Sequence, residues 1–256
     1  MVALQLGFQD KRRMDHSILV AAFMGCISLL YATAGQAGGT AFVAVMAVTE
    51  FPAAEIRPTA LLLNVIAASY ATWRLYRSAA INGKMLLLVT IPSMVAAFGG
   101  GLLVLSGQMY FSLTGLLLVV AAVLMIVRRG ADEVEAQPVK AFPAATAGTA
   151  CGFLSGLTGV GGGVFLTPLI IALGWASPKR AAAISPPFIL CNSAFGLVGV
   201  LIAGQKIPAA ASLYAVAALV GAVIGSTIAL RWMSERTTRY ALTVILLFAG
   251  LRLLLR

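Results

Sequence analysis

Long apolar stretches separated by short polar segments restrict most strongly how this chain can fold. One helical crossing of a hydrocarbon core about 30 Å thick needs roughly 20 apolar residues. Eight stretches approach that length, and two are shorter. The eight are 16–34, 57–77, 84–105, 109–127, 142–158, 179–203, 208–232 and 238–255, and the shorter two are 39–48 and 163–175. We therefore expect an all-α integral membrane protein with eight to ten transmembrane segments.

The composition excludes several other classes of protein. Hydrophobic residues make up 61% of the 256 residues and charged residues 10%, whereas soluble domains are about half apolar and a quarter charged. The net charge of +10 comes from basic residues between the apolar stretches, which is an orientation signal of membrane proteins. We therefore expect a lipid bilayer, and no nucleic acid, as a partner. Cys26, Cys151 and Cys191 stand singly, so the sequence indicates no metal, no cofactor and no disulfide framework.

The two halves of the chain share one order of features, which predicts an internal repeat. Segment 34–39 aligns with 158–163 at an offset of 124, and Asn64 aligns with Asn192 after a four-residue insertion. We divide the chain into a first membrane repeat at 1–127, a polar linker at 128–141 and a second membrane repeat at 142–256. The first apolar stretch resembles a signal peptide, but its counterpart in the second half places it in the mature fold.

Five segments per half predict inverted repeats, because an odd number of crossings reverses the second half. If all ten segments cross, the internal loops hold 11 Lys and Arg residues on one side and 2 on the other, which favours both termini outside. If each glycine-linked pair makes one net crossing, the division is 12 against 6 with the amino terminus inside. The charges leave both topologies open, and we favour the inverted one.

A glycine-rich run at 156–163 predicts a broken helix. Each glycine lowers helix propensity by about 1 kcal/mol relative to alanine, and the run contains five. Broken backbone at membrane depth occurs only inside protein or along a wet cavity, where the start of the next half-helix presents N–H groups to an anion. The alternative is a kink that serves helix packing alone.

We predict a central substrate site made by both breaks and by polar side chains near them. The predicted substrate-binding residues are Gly35, Gly38, Gly39, Asn64, Thr158, Gly159, Gly161, Gly162, Gly163, Thr167, Ser185 and Asn192. Arg57, Lys179 and Arg180 are candidates for charges that draw anions to the entrances, or for interfacial residues that set orientation. All eight acidic residues lie in the tail, the linker or segment ends, which disfavours a cation pathway. No nucleophile with a base is recognisable, so we expect no enzyme.

The motif G-x-x-G-x-G-G-G at 156–163, followed by Pro168 in a chain of two similar halves, resembles the sulfite exporter TauE/SafE family of bacterial inner-membrane permeases. The first half departs from the motif, with Ala32 and Ala37 in place of two glycines. The resemblance implies a multi-pass permease for a small anion such as sulfite or an organosulfonate. A membrane subunit that works only with a partner protein is the alternative, and a homodimer stays open as the assembly.

Overall fold

The computed structural model describes residues 2–33, 37–77, 83–127, 138–229 and 235–255. These residues form ten α-helices joined by short connections. The helices are α1 (Val2–Thr33), α2 (Gly39–Val48), α3 (Ala53–Arg77), α4 (Gly83–Leu102), α5 (Gly107–Val127), α6 (Ala141–Thr158), α7 (Gly163–Ala172), α8 (Pro178–Ile202), α9 (Ala211–Ala229) and α10 (Glu235–Leu254). The all-α prediction is confirmed, and most of the predicted linker at 128–141 lies outside the described residues.

Length and composition identify membrane-span candidates among the described helices. Three contain a sufficiently long apolar window, at Gly83–Leu102, Gly107–Leu124 and Arg180–Ile202. Shorter apolar helices lie at Ser17–Ala32, Gly39–Val48, Gly163–Ala172 and Ala211–Thr227. Large apolar side chains such as Val95, Val216 and Phe248 are exposed on the outer faces of α4, α9 and α10. Such a surface fits contact with lipid rather than water.

The glycine-rich run breaks the second half as predicted. Helix α6 ends at Thr158 and α7 begins at Gly163, because Gly159 and Gly162 adopt φ values of 82° and 71°, a region that other L-residues rarely enter. In the first half, α2 follows Gly38, whose φ is 95°. Each of these two short helices has ten residues and is about 15 Å long, so neither spans a bilayer alone.

Helices α4, α6 and α8 run in the same direction and pack closely. Small residues allow this approach, since the glycines of α6 lie against main-chain oxygens of α4. Along α8, the residues that contact α4 increase in number in the same order as their partners, so α8 runs parallel to α4. The contacts pair Gly148 with Val89, Gly152 with Ser93, Gly156 with Ala97, Asn192 with Ser93, and Gly199 with Phe98. We call the side on which α6 begins the linker side and the side on which α4 ends the far side.

Helices α3, α5 and α9 begin on the far side. Arg57 in the first turns of α3 bonds to the carbonyl of Leu103, just after α4. The hydroxyl of Tyr110, early in α5, bonds to the carbonyl of Thr158 at the end of α6. Tyr214, early in α9, stacks edge to face on Phe51 next to the start of α3. These three helices therefore run from the far side to the linker side.

The remaining helices complete an alternation of direction along the chain. Helix α1 runs parallel to α9, since Gly221 and Gly225 lie against the oxygens of Gly25 and Leu29 in the same order. Gly115 of α5 and Gly250 of α10 contact each other's oxygens in an antiparallel crossing. The short helices α2 and α7 end just before α3 and α8 begin, and each folds back on its successor.

Candidate functional site

The two glycine breaks meet at Asn64 of α3. A Cβ on Gly39 would overlap both the carbonyl oxygen of Val160 and the amide of Asn64, and one on Gly161 would come within 2.9 Å of the same amide. The Nδ2 group of Asn64 donates to the carbonyl of Gly159 at 3.1 Å. The start of α2 and the loop before α7 therefore contact each other and the same fully buried side chain.

One face of α8 lines the start of α7. Ser185, Ile189 and Asn192 are spaced at i, i+4 and i+7, so they share a helix face. A Cβ on Gly163 would lie 2.5 Å from both the Ser185 hydroxyl and the Ile189 side chain. Asn64 and Ile189 stand near the middle of the 25-residue helices α3 and α8. The side chains that contact the breaks therefore lie about halfway along two long helices.

The carbonyl groups that end α6 are bound by side chains from α3 and α5. Arg57 donates to Leu157 O at 3.3 Å, Tyr110 donates to Thr158 O at 2.8 Å, and Asn64 donates to Gly159 O. Those oxygens carry the partial negative charge of a helix C-terminus. Three consecutive acceptors next to the break are thus already hydrogen-bonded.

The amino-terminal ends of α2 and α7 differ from this carboxyl end. Gly162 O accepts from the N–H groups of Phe165 and Leu166, and Gly163 N donates to Gly161 O. No side chain caps α7 at Gly162 or α2 at Gly38. Helix starts without side-chain caps leave N–H groups and a positive dipole end available to an anion.

Buried polar atoms without partners surround these helix starts. Within the described part of the chain, Asn64 Oδ1, Ser185 Oγ and Ser155 Oγ have no hydrogen-bond partner. All three residues are fully buried. A buried polar atom without a partner costs about 1–3 kcal/mol, so such a concentration suggests a place that a ligand or water completes.

Arg57 lies neither at an entrance nor at an interface, the two locations that the sequence analysis considered. Its exposed fraction is 1%, and its guanidinium donates to Gly101 O at 2.5 Å, to Leu103 O at 2.6 Å and to Leu157 O. The residue is buried because the ends of α4 and α6 converge on it, a tertiary arrangement that the position of Arg57 before an apolar stretch does not reveal.

The two predicted asparagines have different surroundings. Asn64 contacts both breaks, whereas Asn192 Oδ1 accepts a hydrogen bond from Ser93 of α4 at 2.7 Å. The same hydroxyl lies 2.8 Å from Thr90 O, so its single proton is shared between the two acceptors. Asn192 therefore lies one turn further along α8 than Ile189, where it contacts α4, and the role of the two asparagines in substrate binding stays a prediction.

The other predicted residues divide by location. Thr158 is buried, and its hydroxyl donates to Leu154 O within α6. Thr167 is half-buried in α7, away from its first turn. Arg180 is exposed at the start of α8, which suits either an entrance or an interface, while Gly35 and the side chain of Lys179 lie outside the described residues.

Two tyrosines near the site were not predicted from the sequence. Tyr31 of α1 bonds through its hydroxyl to Thr40 Oγ1 at 2.6 Å, in the first turn of α2, and Tyr110 binds the end of α6. Both are buried. A tyrosine in an apolar stretch is also common at membrane interfaces, so the sequence carries no signal that separates these two.

Two cavities of the described structure lie away from the breaks. One, of about 450 Å³, is an apolar groove between α4 and α6 lined by residues such as Phe142 and Phe153. Another, also about 450 Å³, lies between the ends of α2 and α10 and is lined by residues including Glu50 and Arg252. The described residues of both breaks are buried.

A family model for the sulfite exporter TauE/SafE family matches residues 18–253. The chain belongs to this family. A "Probable membrane transporter protein" of Sinorhizobium fredii is 33% identical over 232 residues, which cover 89% of this chain and 94% of the relative. The TauE/SafE resemblance seen in the sequence is thereby confirmed.

More distant relatives cover less of the chain. A "Probable membrane transporter protein" of Methanocaldococcus jannaschii is 31% identical over 58% of this chain and 56% of its own length. "Sulfite exporter TauE/SafE family protein 2" of Arabidopsis thaliana is 30% identical over 38% of this chain and 20% of its own length. No solved structure matches the chain. Its family makes this TauE/SafE protein a multi-pass membrane transporter and not an enzyme.

Proposed function

We propose that this TauE/SafE protein is a secondary transporter of a small anion such as sulfite or an organosulfonate, and that the anion binds between the starts of α2 and α7. The observation that carries the proposal is that the uncapped start of α2 and the glycine loop before the uncapped start of α7 meet at the buried Asn64. Backbone N–H groups at helix starts bind anions without a charged side chain.

The hydrogen bonds at the end of α6 support the sign of the charge. The carbonyls of Leu157, Thr158 and Gly159 all accept hydrogen bonds from side chains, so they are poor ligands for a cation. The N–H groups of two helix starts then dominate the electrostatics of the site. Ser185 Oγ, beside Gly163, adds a hydroxyl donor.

We further propose that the two halves are inverted repeats. Two features at the same offset of 124 support this: left-handed glycines precede both α2 and α7, and Glu50 and Gly174 take φ values of 64° and 67° after them. Helix pairs also match, since α1 packs on α9 as α6 packs on α4. An alternating direction of five helices per half reverses the second half.

We place the linker side in the cytoplasm of a bacterial cell and the protein in its inner membrane. Eleven of the 18 Lys and Arg residues fall in linker-side segments and seven in far-side segments. With the two terminal segments left out, the division is eleven against two, Arg57 and Lys206, of which Arg57 is buried. The eleven are Arg74, Arg77, Lys84, Arg128, Arg129, Lys140, Lys179, Arg180, Arg231, Arg236 and Arg239. This asymmetry follows the positive-inside rule.

Export needs no coupling ion for a monoanion. A negative-inside potential favours the exit of each negative charge by about 2.3 kcal/mol per 100 mV. We therefore propose electrogenic export as the direction of use.

The test is flux of sulfite and of an organosulfonate from proteoliposomes with and without a potassium diffusion potential. We expect flux that follows the potential and reverses with it. Flux that follows only a pH gradient would replace uniport by proton coupling, and absence of anion flux would contradict the function proposed here and favour a partner-dependent subunit.

A further inference from the structure

Arg57 is a buried cation among carbonyl groups. Among the residues whose side chains the structure describes, Arg57 is the one charged residue that is fully buried. Its three acceptors are main-chain oxygens of Gly101, Leu103 and Leu157. An isolated buried charge is unstable unless it is compensated, and these acceptors supply the compensation.

The acceptors belong to the carboxyl ends of two helices. Gly101 and Leu103 stand at the end of α4, and Leu157 at the end of α6. Each helix end carries about half a negative charge. One guanidinium therefore cancels approximately the negative potential of both ends.

Arg57 also lies next to the proposed anion site. A Cβ on Gly159 would lie 3.2 Å from the Cα and Cγ atoms of Arg57. Gly159 in turn accepts from Asn64, which contacts both breaks. Without a cation at Arg57, two negative helix ends would face the space that the anion enters.

We propose that Arg57 is a positioning residue that gives the site its preference for anions, by neutralising the carboxyl ends of α4 and α6 so that the helix starts of α2 and α7 determine the local potential. This inference rests on the proposed anion transport. Arg57 does not contact the anion; it acts through the helix ends. Tyr110 assists as a neutral donor to Thr158 O.

The test compares Arg57→Met with Arg57→Lys in the proteoliposome assay. We expect Arg57→Met to raise the KM for sulfite about tenfold or more, since a unit charge several ångströms away is lost, and to admit measurable cation leak. Arg57→Lys keeps the charge and should restore the KM to within about threefold of wild type. Lys206→Met removes an exposed far-side cation as a matched control and should leave the KM unchanged.

Each outcome decides the inference. An unchanged KM and unchanged anion-to-cation selectivity in Arg57→Met would overturn it, as would equal impairment of the Lys and Met variants. If Arg57→Met does not elute as a single folded species, Tyr110→Phe replaces it in the assay. We expect this variant to have a KM for sulfite about threefold higher than wild type. An unchanged KM would overturn the proposal. Absence of anion flux in the wild type would instead refute the proposed function, and the inference with it.

Discussion

Glu50 adopts a backbone conformation that is unfavourable for residues other than glycine. Its φ is 64°, and Gly174 has the equivalent conformation after α7. The left-handed region costs an L-residue roughly 1–2 kcal/mol. We predict that Glu50→Gly raises the thermal midpoint in detergent by about 2 °C.

The matched control for this prediction is Glu50→Ala, which removes the exposed side chain but keeps the backbone strain. It should not raise the midpoint. Equal midpoints for the Gly and Ala variants would show that the conformation at Glu50 stores no strain.

The unequal surroundings of Asn64 and Asn192 lead to a second prediction. Asn64→Asp replaces the donor to Gly159 O by an oxygen and puts a carboxylate beside both breaks, so anion flux should fall by at least about tenfold. Asn192→Asp retains the acceptor for Ser93 and should lose less. Initial rates of sulfite flux measure both, and equal losses would argue for the symmetric amide pair instead.

At the level of helices, the sequence predicted positions well where glycine or proline sets a boundary. Helix α2 occupies 39–48 as predicted, and α7 starts at Gly163 but ends at Ala172 rather than at 175, because Gly174 turns the chain into the left-handed region. Helix α9 begins at Ala211, after the predicted start at Pro208, because residues 209–210 form a turn in which Ala211 N donates to Pro208 O.

The packing of α6 on α4 depends on glycine at defined positions. A Cβ on Gly152 would overlap Ser93 O, whereas one on Gly99 of α4 would meet nothing within 4 Å. We predict that Gly152→Ala lowers the free energy of unfolding by about 1–3 kcal/mol and that Gly99→Ala leaves it unchanged or raises it by up to about 1 kcal/mol. Thermal midpoints in detergent measure both, and a neutral Gly152→Ala would mean that α4 and α6 are less closely packed.

The sequence could not predict which polar residues meet. Asn64 and the glycines were selected because they interrupt apolar helices, whereas Arg57 was interpreted as an entrance or interfacial charge and Tyr110 was not singled out. Both depend on where the ends of α4 and α6 converge, which local spacing does not encode. The basic residues likewise left two topologies open. The helix directions in the structure favour the one in which ten helices alternate in direction.

For the molecule as a whole, that alternation predicts which loops face the outside of a cell. In a variant without native cysteines, Ser106→Cys between α4 and α5 should react with a membrane-impermeant maleimide in intact cells, and Ser177→Cys between α7 and α8 should react only after permeabilisation. Labelling in the opposite order would place the linker side outside and contradict the proposed topology.

The central claim is that the two breaks together form the anion site, and sulfite flux in Gly39→Ala tests it most directly. The added methyl would overlap Val160 O and separate the breaks, while Gly107→Ala adds the same methyl where nothing lies within 4 Å. Ser185→Ala, which removes a buried hydroxyl without adding volume, serves if Gly39→Ala does not fold. We predict potential-driven sulfite flux in the wild type and in Gly107→Ala, loss of this flux in Gly39→Ala, and a several-fold reduction in Ser185→Ala. Wild-type rates of flux in a folded Gly39→Ala would contradict the account.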